Sequence, residues 1–129
     1  AILPEATVKA FTAIELSYMI RKAGLTIDEG LRLLRSAGME AIPGGGAEIF
    51  YEELRARICP DKGSTVEWFE VHAAAHRLGI PTNATILYGH IECVEHRIDH
   101  LDRLRRQQDQ TGGFNAFIPL KYRNFGNRM

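Results

Sequence analysis

Thr82-Asn83-Ala84-Thr85-Ile86-Leu87-Tyr88-Gly89 is followed by an amphipathic run over residues 94–110, then by Gly112-Gly113 and Phe114-Asn115-Ala116-Phe117-Ile118-Pro119-Leu120. The first run is short, apolar and partly β-branched, and a glycine closes it, which is the signature of a buried strand. The middle run is too long and too charged for a strand. Ile98, Leu101 and Leu104 recur at helical spacing and predict its inward face. The glycine pair ends that helix, and a second apolar strand begins at once. A strand, a crossover helix and a second strand in this order predict parallel pairing with a right-handed connection.

Upstream, the same unit is expected again. Residues 8–13 (Val-Lys-Ala-Phe-Thr-Ala) predict a strand, followed by an irregular stretch or short helix around residues 18–22 that runs to Gly24. Thr26 and Glu29 form a capping box ahead of Ile27, Leu31 and Leu34, which share one helical face and stop at Gly38. Residues 39–43 predict a short second strand broken by Gly44-Gly45-Gly46, with a helix from about Ala47 to Ile58 that Pro60 stops. Ser64 and Glu67 form another capping box, and a helix from Val66 to Leu78 ends at Gly79. The expected fold is therefore α/β, with about four consecutive parallel βα units. Short strands with small tips suit either a barrel or an open doubly wound sheet. A complete (β/α)₈ barrel needs about 250 residues, so four strands in 129 residues make a partial one.

Bulk properties narrow the function classes. Sixteen basic and sixteen acidic residues give a formal net charge of zero, which argues against nucleic acid or an anionic membrane as partner. The basic run Arg103-Leu104-Arg105-Arg106 sits among Asp99, Asp102 and Asp109 and predicts a solvated mixed-charge helix face. Cys59 and Cys93 match neither a disulfide framework nor a CxxC site, and a reducing cytoplasm is the expected setting. No apolar stretch approaches the roughly 20 residues of a membrane span. The opening residues Ala1-Ile2-Leu3-Pro4-Glu5 lack signal-peptide character. The start close to a strand signal without an initiator Met, and the stop on Asn127-Arg128-Met129, suggest a piece of a longer chain.

In parallel α/β folds the chemistry gathers where strands end and helices begin. That directs attention to four places: residues 12–15, 44–48, 89–92 and 119–122. Gly44, Gly45 and Gly46 permit close approach of backbone to a ligand, and Glu48 offers a carboxylate to a ribose or an amine. The same glycines equally suit a plain βα turn. Leu87, Tyr88 and Gly89 form the corresponding tip one unit later, with His90 and Glu92 at its mouth; alternatively Glu92 caps the helix and His90 is merely exposed. Thr12 and Glu15 can face substrate, or Thr12 is a strand residue and Glu15 a helix-start acid. His72/His76 and His96/His100 are each spaced to share a helix face and hold zinc, but lack a third ligand, so structural roles are expected. Trp68 and Phe69 are expected to pack helix on sheet, and Cys59 to be structural.

Several segments together are more specific. Phe11-Thr12-Ala13-Ile14-Glu15, Pro43-Gly44-Gly45-Gly46-Ala47-Glu48-Ile49-Phe50 and Arg57-Ile58-Cys59-Pro60-Asp61-Lys62 come first. Ala75-His76-Arg77-Leu78-Gly79-Ile80, Thr85-Ile86-Leu87-Tyr88-Gly89-His90-Ile91-Glu92 and Gln108-Asp109-Gln110-Thr111-Gly112-Gly113-Phe114 follow, with Phe117-Ile118-Pro119-Leu120. In this order they resemble the radical S-adenosylmethionine enzymes of the futalosine route to menaquinone. Cyclic dehypoxanthinyl futalosine synthase and the F420 deazaflavin synthases are kin, and the thiazole-forming tyrosine lyase and biotin synthase are more distant. The Ala47-to-Phe50 and Phe117-to-Leu120 segments favour the branch that adds a 5′-deoxyadenosyl radical to 3-[(1-carboxyvinyl)oxy]benzoate.

The resemblance implies a (β/α)₈-type barrel of which this chain supplies roughly strands three to six. It implies S-adenosylmethionine and a [4Fe–4S] cluster as cofactors, and a small-molecule substrate. By resemblance, Gly44, Gly45, Gly46 and Glu48 lie near the ribose and methionine of the cofactor, and Leu87, Tyr88, Gly89 and Glu92 near its adenine. Thr12, Glu15 and His90 fall in the region of the substrate carboxylates. The family's CxxxCxxC cluster motif is absent, and two distant cysteines do not replace three close thiolates. The expectation is therefore a barrel fragment covering residues 1–129, without the cluster-binding part before it and the part after it, inactive alone. A sister enzyme of the family, or a non-catalytic nucleotide-binding half-barrel, is the alternative. Exposed sheet edges predict self-association.

Overall fold

The computed structural model describes residues 5–125. Residues 1–4 and 126–129, where the expectation of cut ends was placed, lie outside them. Five helices and two strands follow in the order α1 (Ala13–Lys22), α2 (Ile27–Ser36), α3 (Glu52–Ile58), α4 (Thr65–Arg77), β1 (Thr82–Tyr88), α5 (Val94–Thr111) and β2 (Phe114–Lys121). β1 and β2 pair in parallel, with one register irregularity after Thr82. The unit that decided the fold class is thus formed as expected.

The two upstream strands are not. Residues 8–13 and 39–43 run alongside without regular pairing. The Val8 carbonyl accepts from the N–H groups of Glu40 and Ala41 at 2.9 and 3.3 Å, and Ile42 makes a single parallel bridge to Thr82. Local chemistry explains both failures. Thr12 and Glu15 form a capping box that takes Ala13 into α1, so a full ten-residue helix replaces the expected irregular stretch. Pro43 has no N–H to donate to a ladder, and the glycines behind it cannot extend one. Four complete βα units are therefore not present; the described residues contain a two-stranded parallel sheet with extended segments beside it.

Helix starts follow the capping signals. Thr26/Glu29 and Ser64/Glu67 both form reciprocal boxes, as expected. The helix expected from Ala47 starts only at Glu52. The intervening loop is held open because the Arg55 guanidinium takes the carbonyls of Gly46, Ala47 and Ile49, which a helix would have used itself. Glu48 is left-handed, at φ 44°.

The core forms where α1, α2 and α4 meet the sheet. Leu16, Leu31, Ile42, Trp68, Val71 and Ile80 are almost fully buried, with Ala84 and Leu104 closing it from β1 and α5. Phe69 packs on Phe50 beside Trp68, at ring-centroid distances of 4.6 and 5.1 Å. On α5 only Leu104 turns inward as expected. Ile98 and Leu101 are 60% and 45% exposed. The other inward positions belong to His100, in keeping with its expected structural role, and to Gln107. The expected mixed-charge face is present, with Arg103–Asp99, Arg105–Asp102, Arg105–Asp109 and Arg106–Asp102 pairs.

Buried His72 and His100, with half-buried His76, tie the helices to β1. His100 accepts from the Phe50 N–H through Nδ1 at 3.2 Å and faces the Thr85 carbonyl through Nε2 at 2.9 Å, so its proton is on Nε2. The second clasp runs in one direction. The Thr111 hydroxyl donates to the Gln107 carbonyl at 2.8 Å and so must accept from His76 Nδ1 at 2.6 Å. His76 Nε2 is then an acceptor for the Thr82 hydroxyl at 2.8 Å, and that oxygen accepts from His72 Nδ1, also at 2.8 Å. α4, β1 and α5 are joined by one ordered chain of neutral groups.

Candidate functional site

Parallel pairing puts the end of the residue 39–43 segment and the end of β1 on the same edge. The contact is direct: the Leu87 N–H donates to the Glu48 carbonyl at 2.8 Å. The β2 end joins them, with the Tyr122 N–H donating to the Tyr88 carbonyl at 2.7 Å. The two glycine tips therefore share one rim.

The first tip is packed more tightly than a ligand cradle. A methyl added at Gly44 would meet the Ala84 carbonyl carbon and Thr85 Cγ2 at 2.8 Å. At Gly45 it would meet Thr12 Cγ2 at 3.0 Å, and at Gly46, where φ is +85°, Ile14 Cγ1 at 2.7 Å. These glycines make room for the protein's own atoms. Hydrogen bonds fix them further: the Thr85 hydroxyl donates to the Gly44 carbonyl at 2.6 Å and the Trp68 indole to that of Gly45 at 3.3 Å. Only Glu48 projects a functional group from this tip, and it forms an ion pair with Lys62.

The second tip is organised by Glu92, whose side chain is 3% exposed. It accepts from the N–H of Gly89 and from that of His90 at 2.8 Å, and from Arg97 Nε at 2.7 Å. Burial pushes the Glu92 carboxyl up, but the hydrogen bonds from Gly89 and His90 and then from Arg97 outweigh it and hold it below the ordinary carboxylate range. Glu92 thus shapes the tip from inside and does not cap α5. That helix is capped by Cys93 with His96, whose Nδ1 lies 3.2 Å from Cys93 Sγ. The Arg97 guanidinium also sits 5.7 Å from the Tyr88 ring centroid. His90 packs edge-on against Tyr122, centroids 4.2 Å apart, and its buried Nδ1 has no hydrogen-bond partner. An orphaned polar atom of this kind suits a missing ligand group.

Thr12 and Glu15 are engaged with each other. The Thr12 N–H and hydroxyl both donate to Glu15 Oε2 at 2.8 Å. The bond from the Thr12 N–H, then that from its hydroxyl, lowers the Glu15 carboxyl. Thr12 touches the first tip at Gly45, but no hydrogen bond among the described residues joins either residue to His90. Leu87 contributes backbone. Arg55, Lys62, Arg97 and Tyr122 were not singled out from the sequence. Tyr122 lay within one of the four expected rim segments, whereas nothing in the spacing distinguishes Arg55 from a surface arginine.

No protein-family model matches the chain. Individual relatives do. An aminodeoxyfutalosine synthase of Thermus thermophilus is 54% identical over 126 residues, which cover 98% of this chain and 34% of that protein. The sequence is related to the aminodeoxyfutalosine synthases. One from Streptomyces coelicolor is 46% identical over 124 residues, 96% of this chain and 32% of that protein. A 5-amino-6-(D-ribitylamino)uracil–L-tyrosine 4-hydroxyphenyl transferase of Methanothermobacter thermautotrophicus is 48% identical over 119 residues, 92% of this chain and 32% of that protein. The chain therefore spans about a third of the length of the curated relatives it matches, and the similarity runs through both tips. The resemblance drawn from the sequence motifs is upheld by these relatives.

Proposed function

We propose that this chain is the nucleoside-binding middle of a radical S-adenosylmethionine barrel enzyme with aminodeoxyfutalosine synthase activity. The observation that carries the proposal is the 54% identity across 98% of the chain. The shared rim supports it physically. Glu48 presents a carboxylate to hydroxyl or amine groups, and His90 Nδ1 is a buried nitrogen awaiting a partner. Tyr122 packs edge-on against that ring. The glycine tip is packed against Thr12, Ile14 and β1.

The cofactors fit unequally. A cluster of the family type needs three close thiolates. Cys59 is buried at the end of α3 and Cys93 is exposed at the start of α5, so the described residues do not supply that site and no step is derived through it. Bound S-adenosylmethionine would supply radical chemistry at its 5′ carbon. The residues here would hold it: Glu48 at the ribose and methionine, and the backbone of residues 87–89, kept in place by Glu92, at the adenine. His90, with Thr12 and Glu15 beyond the first tip, falls toward the substrate. A reducing cytoplasm is the proposed setting, in keeping with two unbridged cysteines; no helix of the described residues is long and apolar enough to cross a membrane.

The decisive experiment is product analysis with the full-length, cluster-reconstituted gene product. Formation of aminodeoxyfutalosine is expected. A product containing the tyrosine hydroxyphenyl group, or a gene without CxxxCxxC upstream of Ala1, would overturn the proposal. As an isolated chain, we propose self-association through β2, whose Phe117, Ile118 and Leu120 are 43%, 41% and 48% exposed. A monomer mass in light scattering at high concentration would refute it.

A further inference from the structure

Arg55 is a buried cation, 2% exposed, in a chain of α3 neighbours that are otherwise ordinary. Among the described residues no carboxylate forms an ion pair with it. One guanidinium nitrogen donates to the carbonyls of Ala47 at 2.6 Å and Ile49 at 3.4 Å; the other donates to those of Gly46 at 3.1 Å and Gly63 at 2.6 Å. Its Nε has no partner. Burying a charge is costly unless its protons find acceptors, and here nearly all of them come from the loop that forms the first rim tip.

A trans peptide is planar, with C=O and N–H pointing in opposite directions. Drawing the carbonyls of Gly46, Ala47 and Ile49 toward Arg55 therefore turns the N–H groups of Ala47, Glu48 and Phe50 away from it. One result is visible: the Phe50 N–H reaches His100. Residue 48 lies between the Ala47–Glu48 peptide, held by Arg55, and the Glu48–Ile49 peptide, whose carbonyl accepts from the Leu87 N–H, and is left-handed at φ 44°, a conformation disfavoured for glutamate on its own. The planar fork matters, because two separate nitrogens must reach two segments at once; a lysine ammonium offers one point.

We infer that Arg55 is a positioning residue of the nucleoside site, setting the backbone of residues 46–49 and so the direction of the Glu48 carboxylate. This rests on the function proposed above, and two readouts keep the two apart. Arg55→Met and Arg55→Lys are compared with the unaltered chain by hydrogen exchange and by calorimetry with S-adenosylmethionine. Exchange in residues 44–51 is expected to rise about tenfold or more in Arg55→Met, with β1 and α4 unchanged. Arg55→Lys should fall between, and it also serves if the Met variant does not fold. Affinity is expected to drop about tenfold or more in Arg55→Met. Unchanged exchange at the tip, exchange that rises equally in β1 and α4, or a Lys variant identical to the unaltered chain would each overturn the role of Arg55. Unchanged affinity with a loosened tip would also overturn it. Absence of binding by the unaltered chain would instead count against the nucleoside site, and exchange alone would then decide Arg55.

Discussion

Acidification from pH 7.5 to 5.5 should remove a large part of this fold's stability, and His72, His76 and His100 are the reason. Burial alone pushes His76 down to about 4; burial first, then the charge of His76, pushes His72 down to about 3. His100 is likewise driven down to about 4 by burial, although its bond to the Thr85 carbonyl opposes the shift. In the unfolded chain each has an ordinary value near 6.5. Above that value both states are neutral and the full stability is present. As the pH falls below it, the unfolded chain takes up protons that the native state refuses until the folded values near 4 and 3 are reached. At pH 5.5 each histidine has lost somewhat more than about 1 kcal/mol, and the three together about 4 kcal/mol.

That figure is set against a typical total of about 5–15 kcal/mol for a domain, so the effect is decisive. Urea unfolding followed by fluorescence of Trp68, which is fully buried, gives the stability at each pH. Near pH 5.5 the slope should correspond to between two and three protons taken up on unfolding. The carboxylates held low, such as Glu15 and Glu92, add to the loss with the same sign only at more acid pH. A stability that changes by less than about 1 kcal/mol across this window would refute the account of neutral histidines in an ordered chain.

Other substitutions test separate parts of the structure. Gly113→Ala drives a methyl into the His76 ring, against the clasp that joins α4 to β1 and α5, and should cost about 3 kcal/mol in denaturant unfolding. Ser64→Ala removes the α4 cap and should cost about 1 kcal/mol. Thr12→Ala should cost a similar amount through α1, about 1 kcal/mol; a loss of substrate turnover in the full-length enzyme beyond that destabilisation would assign Thr12 to the site as well. Glu92→Gln leaves one amide oxygen where two carboxylate oxygens served three donors, and should cost about 2 kcal/mol with faster exchange at Gly89 and His90; unchanged exchange there would show that Glu92 does not hold the tip.

Legibility in the sequence divided along local and non-local lines. Capping boxes are local, and those at Thr26 and Ser64 were found where the residues promised them. The Thr12 box has the same pattern but was overlooked because residues 8–13 looked like a strand, and one hydrophobic run was allowed to outvote a cap. The late start of α3 was beyond local signals, since it depends on an arginine downstream taking the carbonyls of residues 46, 47 and 49. The inward face of α5 was misassigned for a related reason. Periodicity counts apolar residues, but His100 and Gln107 turn inward because partners on the residue 50 loop, β1 and α4 satisfy them.

At the candidate site the structure bears out the shared rim but fills the space the glycines leave. Glycines at strand ends pointed to the rim, and the Leu87–Glu48 bond places both tips there. Yet the space vacated by three missing side chains is taken by Thr12, Ile14 and the β1 backbone. The glycines let α1 and β1 close on the loop, whose carbonyls at residues 46, 47 and 49 are held by Arg55. Glu92 performs the equivalent task at the second tip. Each tip has one buried charged residue that binds backbone; of the polar residues beside them, Glu48 is paired with Lys62 and His90 keeps an unpartnered Nδ1. A scan of residue types weighs all four alike. Holders and presenters separate by which atoms are already satisfied: on the proposed function, replacing His90 should alter binding while its tip keeps its shape, whereas Glu48 meets a ligand only by sharing or releasing Lys62.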